Sequence, residues 1–314
     1  MKYFPYADEN QKKFIAMTAR NAANRLSDRF RFKIYDAGPE NFYLSFSGGF
    51  ESYLLYWFIR LSGMFDDGYK IRIVSVVNSM FYPQVMQRIM ECADTVLYPS
   101  MTLQDVKDIY GIPCFNKRTD GMIHRYQSGS RRRYLMNNIY GTDTKYFRLN
   151  NTAGSLLMNG KLHKVSPYCC VKTKEEPLNQ YGLEQGKRPI IGVRKSNSML
   201  RNISYRQCMQ KSGEFCPLYD FTDLECLCMY DCFNIEKIYP YTRDYYHLEQ
   251  VADSGKCSHL TGTGCLGCPY AGEHLYKEFP DMMPAQRQYA IKYFHESYDT
   301  IGFDYTQVKR YSIF

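Results

Sequence analysis

Two stretches of this sequence bring chemistry-bearing residue types into close spacing. The first is Ser45-Phe46-Ser47-Gly48-Gly49-Phe50-Glu51-Ser52. Paired glycines let a backbone turn tightly and bring its N–H groups close to an anion. Ser47 and Ser52 add hydroxyl donors, and a helix starting at this point would aim its positive end at the same place. That is phosphate-binding chemistry, although the Gly-Lys-Ser/Thr ending of a Walker A loop is absent. A plain strand-to-helix turn of small residues has the same composition. The second stretch is a set of cysteines: Cys169 and Cys170 are adjacent, and Cys265 and Cys268 form a Cys-x-x-Cys. Four thiolates in two close pairs can satisfy a tetrahedral zinc ion or a cubane cluster. Cys257 lies near enough to substitute as a ligand. Cys226, Cys228 and Cys232 read as core residues along one helix face.

The elements that must position these residues alternate. Positions 10–30 have a roughly helical apolar spacing. Gly38-Pro39 breaks the chain before 42–46, a short apolar run that reads as a buried strand. A helix over 51–61 with Leu54, Leu55, Phe58 and Leu61 on one side follows, then the β-branched strand 71–77, a helix over 85–92, a strand at 95–98 and a helix over 103–110. Positions 189–193 read as a later strand of the same sheet. Strands alternating with helices predict an α/β fold with a parallel sheet covered on both faces. The stretch 118–152 is basic and tyrosine-rich, with the look of an insertion or mobile arm. The cysteine-rich region after Asp220 becomes loop-like around 255–272 and ends in a helix near 285–297. The expected division is an N-terminal helical segment 1–41, a nucleotide-binding α/β domain 42–219, and a cysteine-rich cap with helices over 220–314.

The chain has 314 residues, twelve cysteines and a formal charge of +8. Disulfide frameworks belong to small secreted domains, so metal, cluster or redox roles carry more weight for clustered cysteines in a chain of this length. The basic balance suits a protein that handles anions, and equally a solvated basic surface. No run approaches the ~20 apolar residues of a membrane span, and the start has no apolar signal core, so no membrane association and a cytoplasmic location are expected. Arg131-Arg132-Arg133 could extend an anion site, touch nucleic acid, or form a solvated face.

The segment 47–52 is similar to the PP-loop, Ser-Gly-Gly-x-Asp-Ser, of the adenine-nucleotide α-hydrolase-like superfamily, with Glu51 in the aspartate place. Cys169-Cys170 followed by Lys174, Pro177 and Leu178 resembles the Cys-Cys-x-x-x-Lys-x-x-Pro-Leu segment of adenylyl-sulfate and phosphoadenylyl-sulfate (PAPS) reductases. Gly192-Val193-Arg194 with Ser198 and Arg201 resembles that family's Gly-x-Arg…Glu-Ser-x-x-Arg, with Asn197 in the glutamate place. Pro217–Thr222 resembles its Pro-Ile-x-x-Trp-Thr, and Cys265-x-x-Cys268 its second cysteine pair. The order of these matches is the family's order.

The resemblance implies a HUP-type parallel-sheet domain that binds ATP or another adenine nucleotide, such as APS or PAPS, with Mg²⁺ as a possible companion. It implies a [4Fe–4S] cluster on Cys169, Cys170, Cys265 and Cys268. Nucleotide contacts would come from Ser45, Ser47, Gly48, Gly49, Phe50, Ser52, Gly192, Arg194 and Arg201, and catalytic roles from Glu51 and Lys174. Reductases of the family carry a nucleophilic cysteine near the C-terminus, whereas 306–314 holds none. The expected activity is therefore ATP-dependent adenylylation coupled to sulfur transfer, as in DNA phosphorothioation and tRNA thiolation enzymes, with a sulfur- or electron-donor protein and a nucleic acid acceptor as candidate partners. The alternatives are a sulfate-nucleotide reductase using an internal or partner thiol, and a non-catalytic nucleotide-binding module.

Overall fold

Phe42, Tyr43 and Leu44 are almost fully buried, as are Ile73, Val74 and Val76 two dozen or more positions on. Strands apolar on both faces need cover on both faces, which parallel sheets receive from crossover helices. The computed structural model of the protein has this arrangement, and it describes residues 1–140, 149, 151–197, 199–236, 246–254, 264–272, 275–276 and 279–306. Cys257, Ser198 and the tail beyond 306 lie outside the described residues.

Along the chain run α1 (Glu9–Phe30), β1 (Phe42–Ser45), α2 (Phe50–Arg60), β2 (Arg72–Val76), α3 (Pro83–Cys92), β3 (Thr95–Leu97), α4 (Leu103–Tyr110), α5 (Lys117–Gln127), α6 (Arg133–Tyr140), α7 (Asn151–Met158), α8 (Tyr168–Cys170), α9 (Glu176–Gln185), β4 (Arg188–Ile190), α10 (Met199–Ser204), α11 (Asp223–Cys232), α12 (Leu248–Ser254) and α13 (Pro284–Ile301). The four strands form one parallel sheet in the order β3-β2-β1-β4. Register is set by Leu44 opposite Ile73 on one side and Ile190 on the other. The chain winds outward from β1 through β2 and β3, then returns to place β4 on β1's free side. β1 is thus flanked by the point where the strand order reverses.

The chain divides into two compact units that interleave along the sequence. The first comprises 1–77, 82–98 and 178–263, and holds the whole sheet. The boundaries expected at 41/42 and 219/220 both fall inside it. Here α1 packs along α11, tied by ion pairs Arg25–Glu225 at 2.9 Å and Arg29–Asp220 at 2.7 Å. The second unit comprises 78–81, 99–177 and 264–314. Its core is Cys114, Met122, Ile123, Leu135, Ile139, Leu149, Ala153, Leu157 and Val165, so the basic stretch 118–152 supplies packed helices.

Three local expectations change. The strand expected over 189–193 stops at Ile190 because Ile191 donates to the Phe215 carbonyl at 2.9 Å instead of continuing the ladder. Leu61 ends α2 more than half exposed, outside the apolar face of Leu54, Leu55 and Phe58. Cys226 and Cys228 are buried although, two positions apart, they point to nearly opposite sides of α11, and Cys232 at the helix's last position is only partly buried, so the three do not form one buried face. Among the described residues no helix is long and apolar enough to cross a membrane.

Candidate functional site

In the first unit, the loop after β1 turns at Gly48, whose φ of 69° lies in the left-handed region that only glycine adopts freely. A Cβ there would sit 3.0 Å from Val85 Cγ1 and 3.3 Å from the Val85 carbonyl, so α3 closes one side of the loop. Gly49 differs: its φ is −84°, ordinary for any residue, and it forms the N-cap of α2 with no side chain to occupy the helix's first N–H groups. The Ser47 and Ser52 hydroxyls lie 3.0 Å apart, and Ser52 also donates to the Gly49 carbonyl at 3.0 Å. Ser47 is exposed and Ser45 partly buried. Phe50 opens α2, but its ring stacks on Tyr230 at 4.4 Å, while the Tyr230 hydroxyl donates to the Phe50 carbonyl at 2.8 Å. The ring anchors the helix start in the core.

Glu51 is held by three donors on one oxygen. Arg194 Nε at 3.2 Å, Arg194 Nη2 at 2.9 Å and Asn197 Nδ2 at 2.8 Å all reach Oε1. Asn197 closes the arrangement by accepting from the Arg194 backbone N–H at 2.7 Å. A glutamate at position 197 would set a second carboxylate against Glu51. The amide donates instead. Arg194 was expected to reach a phosphate, yet its side chain is 1% exposed and also donates to Asp223 and, at 3.1 Å, to Ser196. Burial alone would lower its pKa; Cys226, Glu51 and Asp223 together raise it. It works as the buried counter-ion of two carboxylates.

Asp223 stands here because Thr222 caps α11. The Thr222 hydroxyl accepts from the Glu225 N–H at 3.1 Å, and Glu225 accepts from the Thr222 N–H at 2.8 Å. Gly192 lies against the first turn of α2, where an added Cβ would fall 2.9 Å from Glu51 Cβ and 3.0 Å from the Ser52 nitrogen. Its lack of a side chain allows that approach. Arg201 is exposed on the short α10.

The second unit holds all four cysteines expected to form a cluster. The buried Cys169 thiol is pushed up to about 12 by burial, then by Cys265 and Cys170. Burial also raises Cys170, and raises Cys268 well above its ordinary value, with Cys265, Cys170 and Cys169 contributing to the latter. The two pairs therefore feel one another despite the 95 positions between Cys170 and Cys265. Lys174 sits among them on the π-helical turn after α8. Burial opposes its charge, while Cys265, Cys170 and Cys268 raise its pKa. It belongs to the thiol group, whereas the glycine loop belongs to the other unit.

The last helix shapes the Cys265–Cys268 turn. Gly267 has a φ of 63°, and a Cβ there would lie 2.6 Å from both Ala290 Cβ and the Tyr298 hydroxyl. Tyr298 donates to the Gly267 carbonyl, and Tyr293 donates to Cys169 Sγ at 3.9 Å. Behind the turn, Tyr270 donates to the fully buried Asp120 at 2.7 Å, which also accepts from the Cys114 N–H at 2.7 Å and the Phe115 N–H at 3.0 Å. Among the described residues, no three histidine, cysteine, aspartate or glutamate side chains are arranged to hold a single metal ion. Four thiols that influence one another electrostatically, with a lysine beside them, match the donor types of a zinc site and of an iron–sulfur cluster alike.

Sequence reasoning missed Asp223, Val85, Tyr293, Tyr298 and the Asp120–Tyr270 pair. Only Asp223 had a local signal, the capping box Thr222-x-x-Glu225. No protein-family model matches the chain, and no curated protein matches it.

Proposed function

We propose that the chain is a PP-loop adenine-nucleotide-binding enzyme of the PAPS reductase-like kind, which adenylylates an acceptor with ATP for sulfur transfer. The observation that carries this reading is the position and conformation of the glycine loop. It follows the strand beside the topological switch point of a parallel sheet, where open α/β sheets bind their ligands. Its left-handed Gly48 turns the chain into a helix start that no side chain caps.

In this reading the α2 N–H groups and the Ser47 and Ser52 hydroxyls donate to phosphate oxygens. Glu51 keeps one oxygen for its Arg194 and Asn197 donors, and its Oε2, which has no donor among the described residues, would be the ligand it offers to Mg²⁺. Bound Mg²⁺ supplies charge neutralisation of the phosphates. An acceptor oxygen attacks the α-phosphorus, the bond to the bridging oxygen breaks, and pyrophosphate leaves. Cys169, Cys170, Cys265 and Cys268 would hold a [4Fe–4S] cluster, which when bound supplies a sulfur- or electron-handling centre. Lys174 there offsets the negative charge of the thiolates.

The test is to titrate anaerobically purified protein with ATP and Mg²⁺, add candidate acceptors, and assay pyrophosphate. Release supports the proposal. Nucleotide binding without release indicates a non-catalytic module, and sulfite from adenylyl sulfate a reductase. No binding of any adenine nucleotide refutes the PP-loop reading altogether.

A further inference from the structure

The run Arg131-Arg132-Arg133 takes no part in either site. It belongs to the second unit, in the turn between α5 and α6. α5 closes through Gly129, with a φ of 89°, and Ser130 donates to the Arg125 carbonyl at 2.9 Å. The chain then enters α6 with Arg131, Arg132, Arg133 and Tyr134 all exposed, Tyr134 to 62%. Leu135 and Ile139 fix this orientation, because they are buried in the unit's core a helical turn apart.

The face is organised. Arg131 lies 3.9 Å over the ring of Tyr126 and donates to the Tyr126 carbonyl at 2.8 Å. The Tyr126 and Tyr140 hydroxyls meet at 2.7 Å. Between 117 and 140 the chain carries six basic residues and one acidic residue, Asp120, which is fully buried and consumed by its own hydrogen bonds. Lys117 pairs with Glu175, but among the described residues no carboxylate forms an ion pair with Arg125, Arg131, Arg132 or Arg133. Folding gains little from this arrangement, since cations at the start of a helix oppose its dipole. Unpaired like charges held together on a packed scaffold are the footprint of an anionic partner.

We propose that this turn binds single-stranded nucleic acid, with Arg132 and Arg133 meeting backbone phosphates and Tyr134 stacking on a base. The exposed tyrosines separate a nucleic acid from other polyanions, because every base offers a ring face and an acidic peptide or lipid headgroup does not. A membrane surface is disfavoured because Leu135 and Ile139 of α6 are buried in the core, leaving no aliphatic wedge on this helix among the described residues. The assignment stands on these residues alone and is independent of the nucleotide-site reading.

The test is fluorescence anisotropy of the full chain with a labelled oligothymidylate and with its RNA counterpart, over a salt series. Arg132→Ala/Arg133→Ala should weaken binding at least tenfold at low salt and make the log–log salt slope shallower by about 1.4, from ~0.7 per phosphate contact. Tyr134→Ala should weaken binding by about tenfold and leave the slope unchanged, as lost stacking requires. All three positions are exposed, and circular dichroism melts of the variants should overlay wild type. Unchanged affinity in either variant overturns the proposal. So does phosphatidylserine vesicle binding with the same arginine dependence when the oligonucleotides fail to bind.

Discussion

Replacing Arg194 by alanine tests whether the glycine-loop unit is built around one buried cation. The side chain is 1% exposed, and its partners Glu51 and Asp223 are 13% and 6% exposed. Removing it strands two carboxylates in the interior. Breaking a buried pair by deleting one partner costs about 3–5 kcal/mol, because the remaining charge keeps its desolvation penalty. Glu51 retains Asn197 and some solvent contact, which places the loss near the lower end, about 3 kcal/mol. Trp57, the chain's one tryptophan, lies on α2, the helix that carries Glu51, and stacks on Phe233, so its fluorescence reports this unit during urea unfolding. With a slope of roughly 2 kcal/mol per molar urea, the midpoint should fall by about 1.5 M. Arg194→Met combined with Asp223→Asn should lose less than Arg194→Ala alone, because only one stranded carboxylate remains. A midpoint shift below about 0.5 M for Arg194→Ala would refute the account, since that is ordinary for a surface ion pair.

The two loop glycines should respond unequally: Gly48→Ala meets both the left-handed backbone and Val85 and should cost about 1–2 kcal/mol in the same titration, while Gly49→Ala should cost less than half as much. For the second unit, burial pushes the Asp120 carboxyl from the ordinary 3.8 up to about 6, although Tyr270 and backbone N–H groups hold it lower than burial alone would. The folded state then keeps the proton across that window while the unfolded chain loses it. The stability Asp120 contributes therefore falls as pH rises from about 4 to 6, by on the order of 3 kcal/mol, and is flat above. Asp120→Asn should remove this dependence, read as melting temperature by near-ultraviolet circular dichroism at a series of pH values. Protein purified without oxygen should be brown and carry iron, and serine at Cys169, Cys170, Cys265 or Cys268 should lower iron per chain; colourless protein with one zinc per chain would contradict the cluster.

Local pattern was enough to identify the sheet strands, the helices α2, α3 and α4, and the glycine loop. The β-branched run at 72–76 and the apolar 42–45 declare buried strands, and the helices that follow show their period within a few turns. Capping boxes at Asp8, Thr102 and Thr222 likewise lie within four residues. The candidate site depended on contacts the chain makes far from itself. Nothing near position 194 states that its guanidinium will be shared by Glu51, 143 positions earlier, and Asp223, 29 positions later. That choice is made when β4 pairs with β1 and the capped start of α11 packs beside α2's first turn. The same holds for which glycine is obligatory. Gly48 and Gly49 are indistinguishable as letters, and only the packing of α3 under one of them sets its backbone sign. The interleaving of the two units has the same origin. Apolar area is buried wherever the assembled surfaces match, so a chain that leaves a sheet and returns to it can divide its core in ways that no boundary along the sequence announces.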